Sequence, residues 1–471
     1  MRINRAALPF EWLNKFLYSP WYFLFLGGLT VLSNVFCMEL YAYPVLLLTG
    51  VCVCLFGRDL LPVFPIFACG YISPSVGNNP GLNEDSVFSL SGGGIYLAIF
   101  LSLLVASLIY RLVTDPDFGG KKFLQKKRVL LSGMLVLAIT YAISGLTSGQ
   151  WEEYGLRNLL FAGIQLVAIA GLYYLLSGAV RWEMAPREYL AWTGICVGYV
   201  LLVEMLNIYI TNDAIVDGSI RRDVLNTGWG HYNSIGALLT IVLPLPFLLT
   251  DTRHAKFAYL SVLLFYITLV FTCSRGSILV GTGIYGLGYI LSLVHSRHAR
   301  RQFLVHIGMV ALAVFAVVFL REKLLQLFIS LKNAGLSSPE RMETYHEGIN
   351  QFLKYPVFGG SFFPVDFWPY AWATADTFAT LFPPRWHNTF VQLLATGGVV
   401  CLAAYLLHRA QTVMLFAKNC TTEKLIAGLS VLALLMASMV DCHFFNVGPV
   451  LTYSAVLAFV ECQLNEPKKL K

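Results

Sequence analysis

The sequence predicts an all-α, polytopic integral membrane protein of about twelve to fourteen transmembrane helices, with one large external loop carrying an amphipathic helix. Three observations carry this. Of 471 residues, 57% are hydrophobic and only 13% charged, against about 25% charge in a soluble globular protein. Apolar runs of 17 or more residues recur from end to end. The basic residues gather between alternate runs, as the positive-inside rule requires of a chain that crosses a bilayer repeatedly. A division by length into about three soluble domains is excluded by that composition.

A crossing helix needs about 20 mostly apolar residues. In chain order the segments that qualify are 21–38, 41–57, 60–72, 94–113, 129–147, 157–180, 190–210, 231–250, 257–273, 277–295, 303–320, 387–407, 425–441 and 443–462. The third is short and holds Pro62 and Pro65, the composition of a re-entrant segment. The last two are joined by a very tight turn.

Arg2, Arg5 and Lys15 precede the first span and no small-residue cleavage site follows, so the N-terminus reads as an uncleaved signal anchor with its end in the cytoplasm. Alternation from there puts Arg58, Arg111, the Lys121–Arg128 cluster, Arg181, Arg187, Arg253, Lys256, Arg297, Arg300, Arg301, Arg409, Lys418, Lys424 and the tail lysines inside. Together with the N-terminal three, these make 23 of the 33 basic residues. The localisation that follows is a multi-pass protein of the cytoplasmic (inner) membrane.

Residues 321–386 form a 66-residue external loop, far beyond ordinary connection lengths and therefore functional. Within it Ser338 and Pro339 form a helix cap and first turn. Met342, Tyr345, Ile349 and Phe352 then recur at near-helical spacing until Pro356, the pattern of an amphipathic helix on the membrane surface or over a cavity.

Several function classes fall away. Ten cysteines are too few for a disulfide framework, and most lie in or beside apolar runs, where cysteine behaves as a small hydrophobe. No Cys/His grouping has zinc spacing. The net charge of +7 is not arranged as a basic stripe with interleaved aromatics, so nucleic acid is not a partner. Gly281, Gly283 and Gly286 spell a dinucleotide fingerprint, but inside a membrane span with no strand before it; close helix packing is the better reading. His346-Glu347 begins a zinc-protease pattern, and Asn350 stands where its second histidine would be.

What remains is a set of polar residues at outer span ends. Ser274-Arg275-Gly276 closes the ninth span, Arg341 sits in the first turn of the loop helix, and His387-Asn388 opens the twelfth. His231 and Asn233 open the eighth, after Arg221 and Arg222. An interfacial arginine can simply snorkel to headgroups, and His387 can simply cap its helix. The functional reading rests on these residues converging on one side from distant parts of the chain. Arginine grips phosphate oxygens bidentately and never loses its charge, and a helix N-terminus such as that of Arg341 favours anions. A neutral histidine can take a proton from an attacking hydroxyl. The outer carboxylates are scattered, so arginine rather than a metal ion stabilises a departing diphosphate in this reading. Glu204 in the seventh span is either functional or a buried hydrogen-bonding group.

These residues carry a resemblance. The chain resembles the O-antigen ligase and polymerase family of membrane glycosyltransferases that use polyprenyl-diphosphate-linked glycans. The family pattern is His, then Asn, Ser or Gln, nine residues, Gly, two residues, then Gly, Thr or Tyr. Here it reads His387-Asn388, nine residues ending at Gly397, Gly398, Val399-Val400, and Cys401, which departs at the last position. Ser274-Arg275-Gly276 resembles the family's arginine after an apolar span. Arg341 through Pro356-Val357-Phe358-Gly359-Gly360 resembles its loop segment, and His231-Tyr232-Asn233 its helix-opening motif. The likeness spans about residues 220–410.

The resemblance implies N-terminal transmembrane helices (1–220), a catalytic region (221–410) that includes the loop, and C-terminal helices with a cytoplasmic tail (411–471). It implies transfer of a glycan from undecaprenyl diphosphate to an acceptor hydroxyl, on a lipid core or envelope glycan, at the outer face of the membrane. The enzyme would be inverting, metal-independent and free of cofactors, of the GT-C type. His387 would be the general base and Arg275 and Arg341 the diphosphate-binding residues. His231, Asn233, Asn388, Arg221 and Arg222 would line the substrate. A polymerase of the same family shares donor and motifs. A polysaccharide flippase or exporter would instead place its polar residues near the midplane on broken helices.

Overall fold

The computed structural model describes residues 11–36, 38–70, 93–114, 128–149, 151–180, 186–212, 214–216, 219–227, 230–296, 339–362 and 386–465, with isolated positions between 307 and 321. The span at 303–320 and the Phe/Trp/Pro-rich stretch 363–385 therefore lie largely or wholly outside the described residues. The chain forms two compact units, each drawn from two stretches: residues 1–126 with 175–328, and 127–174 with 329–471.

The first unit holds α1 (Glu11–Leu17), α2 (Pro20–Phe36), α3 (Glu39–Phe56), α4 (Val63–Gly70) and α5 (Gly93–Thr114). The second opens with α6 (Leu131–Ala142) and α7, which runs from Trp151 to Ala179 through a π-turn at Leu166–Gly171, its residues from Leu175 on belonging to the first unit. The chain then continues in the first unit with α8 (Pro186–Thr211) and two antiparallel ribbons, in which Ile215–Val216 pairs with Ser219–Ile220 and Asn226–Thr227 with Gly230–His231. That unit finishes with α9 (Tyr232–Val242), α10 (Ala255–Phe271) and α11 (Arg275–His295). The second unit is completed by α12 (Pro339–Lys354), α13 (Thr389–Ala417), α14 (Thr422–Ala437) and α15 (Val447–Asn465). Every expected span among the described residues coincides with a helix or with helix and turn together. The expected loop helix is α12.

Among the described residues, five helical segments are long and apolar enough to cross a bilayer, and α1 with α2 forms a sixth candidate bent by 68°. Several shorter apolar helices accompany them. Large apolar side chains point outward along these helices, as with Ile210 at 80% and Val294 at 74% exposure. Bare apolar faces of that kind suit lipid, not water. The protein is an all-α, multi-pass membrane protein.

In the first unit α8 packs on α2 and α10, α3 on α5, and α9 on α11. Glu204, on α8 and 3% exposed, accepts a hydrogen bond from Asn34 Nδ2 on α2. Of the three glycines read as close-packing, Gly281 fits: a Cβ there would collide with Leu269 on α10, whereas Gly283 and Gly286 have nothing within 4 Å among the described residues. Glycines two and five residues on cannot share its helix face, so one contact accounts for one glycine only.

In the second unit α13 packs on α6 and on α12, and it is broken. Gly398 has φ 64 and ψ −164 inside the helix. The segment after α12 docks into the break: Val399 and Val400 donate backbone N–H groups to the carbonyls of Pro356 (2.9 Å) and Val357 (3.3 Å), while Gly360 and Ser361 donate to those of Ala395 (2.9 Å) and Thr396 (3.1 Å). Backbone groups freed by a break in a membrane helix must find partners, and these are the partners. Further down α13, the Arg409 guanidinium lies over the rings of Tyr405 and Phe444, both at 4.5 Å, and donates to the Tyr453 hydroxyl at 3.0 Å.

Candidate active site

Two clusters contain the expected site residues, one in each unit. In the first unit α10 ends at Phe271 and α11 starts at Arg275. Cys273 takes the left-handed backbone (φ 55) that turns the chain between them. Ser274 Oγ donates to Asn233 Oδ1 (2.9 Å) and lies 3.0 Å from Ser277 Oγ, joining α9 to the start of α11. Gly236 makes this possible, since a Cβ there would meet both serines. Half-buried Arg275 thus stands on a fixed helix start. Arg222 lies over the Tyr232 ring at 5.4 Å, Arg221 is exposed, and the His231 backbone pairs with Asn226. Asn233 and Arg275 are brought together by this junction.

The second unit builds its cluster around the turn between α14 and α15. Three successive carbonyls of that turn each accept a donor: Ser438 from the Thr389 N–H (2.9 Å), Met439 from Asn388 Nδ2 (2.9 Å) and Val440 from Arg341 Nη1 (3.3 Å). The next residue, Asp441, is 4% exposed. Its Oδ1 accepts the Cys442 N–H at 2.7 Å and lies 3.4 Å from His387 Nδ1. The imidazole is not aligned on the carboxylate for a hydrogen bond, so the pair is a close electrostatic contact, of the loose kind catalytic pairs show without substrate. Gln392, one turn into α13, braces both sides by accepting from the Trp386 N–H (2.9 Å) and Cys442 Sγ (3.3 Å).

His387 itself is held in the left-handed region (φ 53), which costs a residue with a Cβ about 1–2 kcal/mol. Tyr345 on α12 donates its hydroxyl to the His387 carbonyl at 3.1 Å. Burial raises the Tyr345 phenol above its ordinary value, with Arg341 pulling the other way, so it stays a donor. The helix cap is Asn388, whose Oδ1 accepts from the backbone N–H groups of Phe390 (2.9 Å) and Val391 (3.2 Å). His387 therefore does not cap the helix: its neighbour does, and its own ring faces a carboxylate. Asn388, expected to line the substrate, has its side chain occupied by capping and by Met439.

Arg341 lies half-buried in the first turn of α12, fixed by one of its five N–H groups. The arrangement sets a histidine beside a buried carboxylate, with a helix-terminal arginine donating to the same turn. In the sequence Asp441 is inconspicuous, because it closes the apolar run 425–441. The polar triplet Asp441-Cys442-His443 between two apolar runs is the signal that marks it. The turn is also longer than expected, extending to Asn446 through a 3₁₀ turn at His443–Phe445.

Fold and site together define a multi-pass helical membrane protein with polar clusters at helix ends. The O-antigen ligase family model matches residues 260–406, and that stretch is similar to the family. The matched stretch contains Arg275, Arg341 and His387; Asn233 and Asp441 fall on either side of it. No curated protein matches the chain.

Proposed function

We propose that the protein is a ligase-type glycosyltransferase, moving a glycan from undecaprenyl diphosphate to an acceptor hydroxyl on the outer face of the cytoplasmic membrane. One observation carries this reading: within the matched domain, His387 is strained, does not cap its helix, and faces the buried carboxylate of Asp441. That is the geometry of a general base with its orienting acid.

In the proposed reaction the acceptor oxygen attacks the anomeric carbon from the side opposite the diphosphate and gives its proton to His387 Nε2. The bond from the anomeric carbon to the diphosphate oxygen breaks, its electron pair leaves with the diphosphate, and the anomeric centre inverts. Asp441 stabilises the imidazolium that forms, without taking the proton. Arg341 holds the diphosphate and neutralises the charge it gains, so transfer proceeds in EDTA; for Arg275 the same role rests on the sequence resemblance alone. A sugar- or acceptor-lining role for His231, Asn233, Arg221 and Arg222 rests on the sequence resemblance alone. Lipid-linked glycans from a deletion strain test the choice of reaction. Long chains accumulating on the carrier, unattached to any acceptor, support a ligase; single repeats on the carrier would make it a polymerase.

A further inference from the structure

The first unit contains a cavity of about 370 Å³ that none of the proposed chemistry uses. It lies at the end of α10 that carries Arg253 and His254. Arg275 follows the other end, 17 helical residues away, a separation of about 25 Å along the axis. The cavity is bounded by Lys15 on α1, Arg58 after α3, Glu188 and Trp192 on α8, and the Arg253-His254 turn.

Its walls are built, not incidental. Buried Asn14 accepts the Arg58 backbone N–H at 2.7 Å, and Tyr189 Oη donates to the Leu17 carbonyl at 3.0 Å, fixing α1 to α3 and α8. Trp192 stacks between Phe23 (6.4 Å, 27°) and Phe257 (5.8 Å, 29°) and meets the His254 ring edge-on at 5.3 Å. One wall is therefore aromatic and the rim is charged. Lys15 is neutralised by Glu11 at 3.2 Å. Arg253 Nε donates to His254 Nε2 at 3.1 Å, which ties the guanidinium to the turn. Arg58 and Arg253 make no ion pair among the described residues, so two guanidinium groups face one remaining carboxylate, Glu188.

We infer that this cavity seats the phosphate headgroup of an anionic phospholipid. Guanidinium groups match phosphate oxygens and stay charged; a tryptophan among aromatic rings suits the headgroup boundary; and basic pockets between membrane helices bind acidic headgroups. On the orientation proposed above, the lipid comes from the cytoplasmic leaflet.

The test uses the full-length protein in detergent, titrated with phosphatidylglycerol, with bound lipid read by native mass spectrometry. Phosphatidylglycerol should bind more tightly than phosphatidylcholine and weaken as salt rises. The exposed pair Arg58→Gln/Arg253→Gln should weaken it roughly 30-fold, while Lys256→Gln, next to the turn but outside the cavity, should not. Free glycerol phosphate should not compete at the same concentrations. Equal binding of the two lipids, salt independence, or an unchanged affinity in the double variant overturns the site. Effective competition by glycerol phosphate would make the ligand a soluble phosphate and overturn the lipid assignment. Salt dependence in the unaltered protein keeps the proposal testable even if the double variant is poorly folded.

Discussion

Gly398→Ala tests the break in α13 that ties the loop segment to the site. At φ 64 and ψ −164 the backbone occupies a region essentially restricted to glycine, and holding alanine there costs about 1–3 kcal/mol. The new Cβ would also fall inside contact distance of the Val357 carbonyl and 2.7 Å from the Gly359 nitrogen. Neither is the tip of a flexible side chain, and relieving the clash means parting the two hydrogen bonds from Val399 and Val400 to Pro356 and Val357, at about 1 kcal/mol each. The total loss is about 3–5 kcal/mol, in the range reserved for severe backbone or core damage. Thermal unfolding of the detergent-purified variant, followed by tryptophan fluorescence, measures it. Gly286→Ala is the reference: it sits in a helix with nothing within 4 Å of its Cβ position among the described residues, where alanine gains up to about 1 kcal/mol. A Gly398→Ala protein that melts with the unaltered chain would refute the docked break.

Three further outcomes follow from the site. Asp441→Asn should lower turnover about 10²–10⁴-fold with little change in donor binding, because it removes charge beside the imidazolium and not beside the diphosphate; steady-state kinetics checks this. Arg341→Lys keeps the charge but loses the planar fork, so donor affinity should fall by about tenfold or more in a direct binding assay. With the exposed native Cys52 and Cys420 replaced by serine, cysteines at Glu343 and at Lys418 should label oppositely in intact spheroplasts: Glu343→Cys with an impermeant thiol reagent, Lys418→Cys only after permeabilisation.

How far the sequence reached depends on how local each feature is. Helix positions were legible because a run of apolar residues is a local property: α10 and α11 coincide with the expected 257–273 and 277–295 within a few residues. The loop helix was legible too, although its packed face is not the expected stripe. Met342 and Ile349 are exposed, and buried Gly348 lies against Val391 and Trp386 instead. The break at Gly398 was not legible, because Gly397-Gly398 in an apolar run looks the same whether the helix continues or is opened by another segment. The partnership of His387 with Asp441 was hidden for a similar reason. It is made by the turn after α14, and nothing near either residue in the chain announces the other.

Turnover by purified His387→Ala protein tests the central claim most directly. The assay supplies an undecaprenyl-diphosphate-linked glycan and an acceptor to monodisperse protein, and measures donor binding beside the transfer rate. Asn388 still caps the helix in this variant, so folding and donor binding should be retained while turnover falls about 10²–10⁴-fold. Near-normal turnover in well-folded His387→Ala protein would contradict the account and remove the histidine from the chemistry.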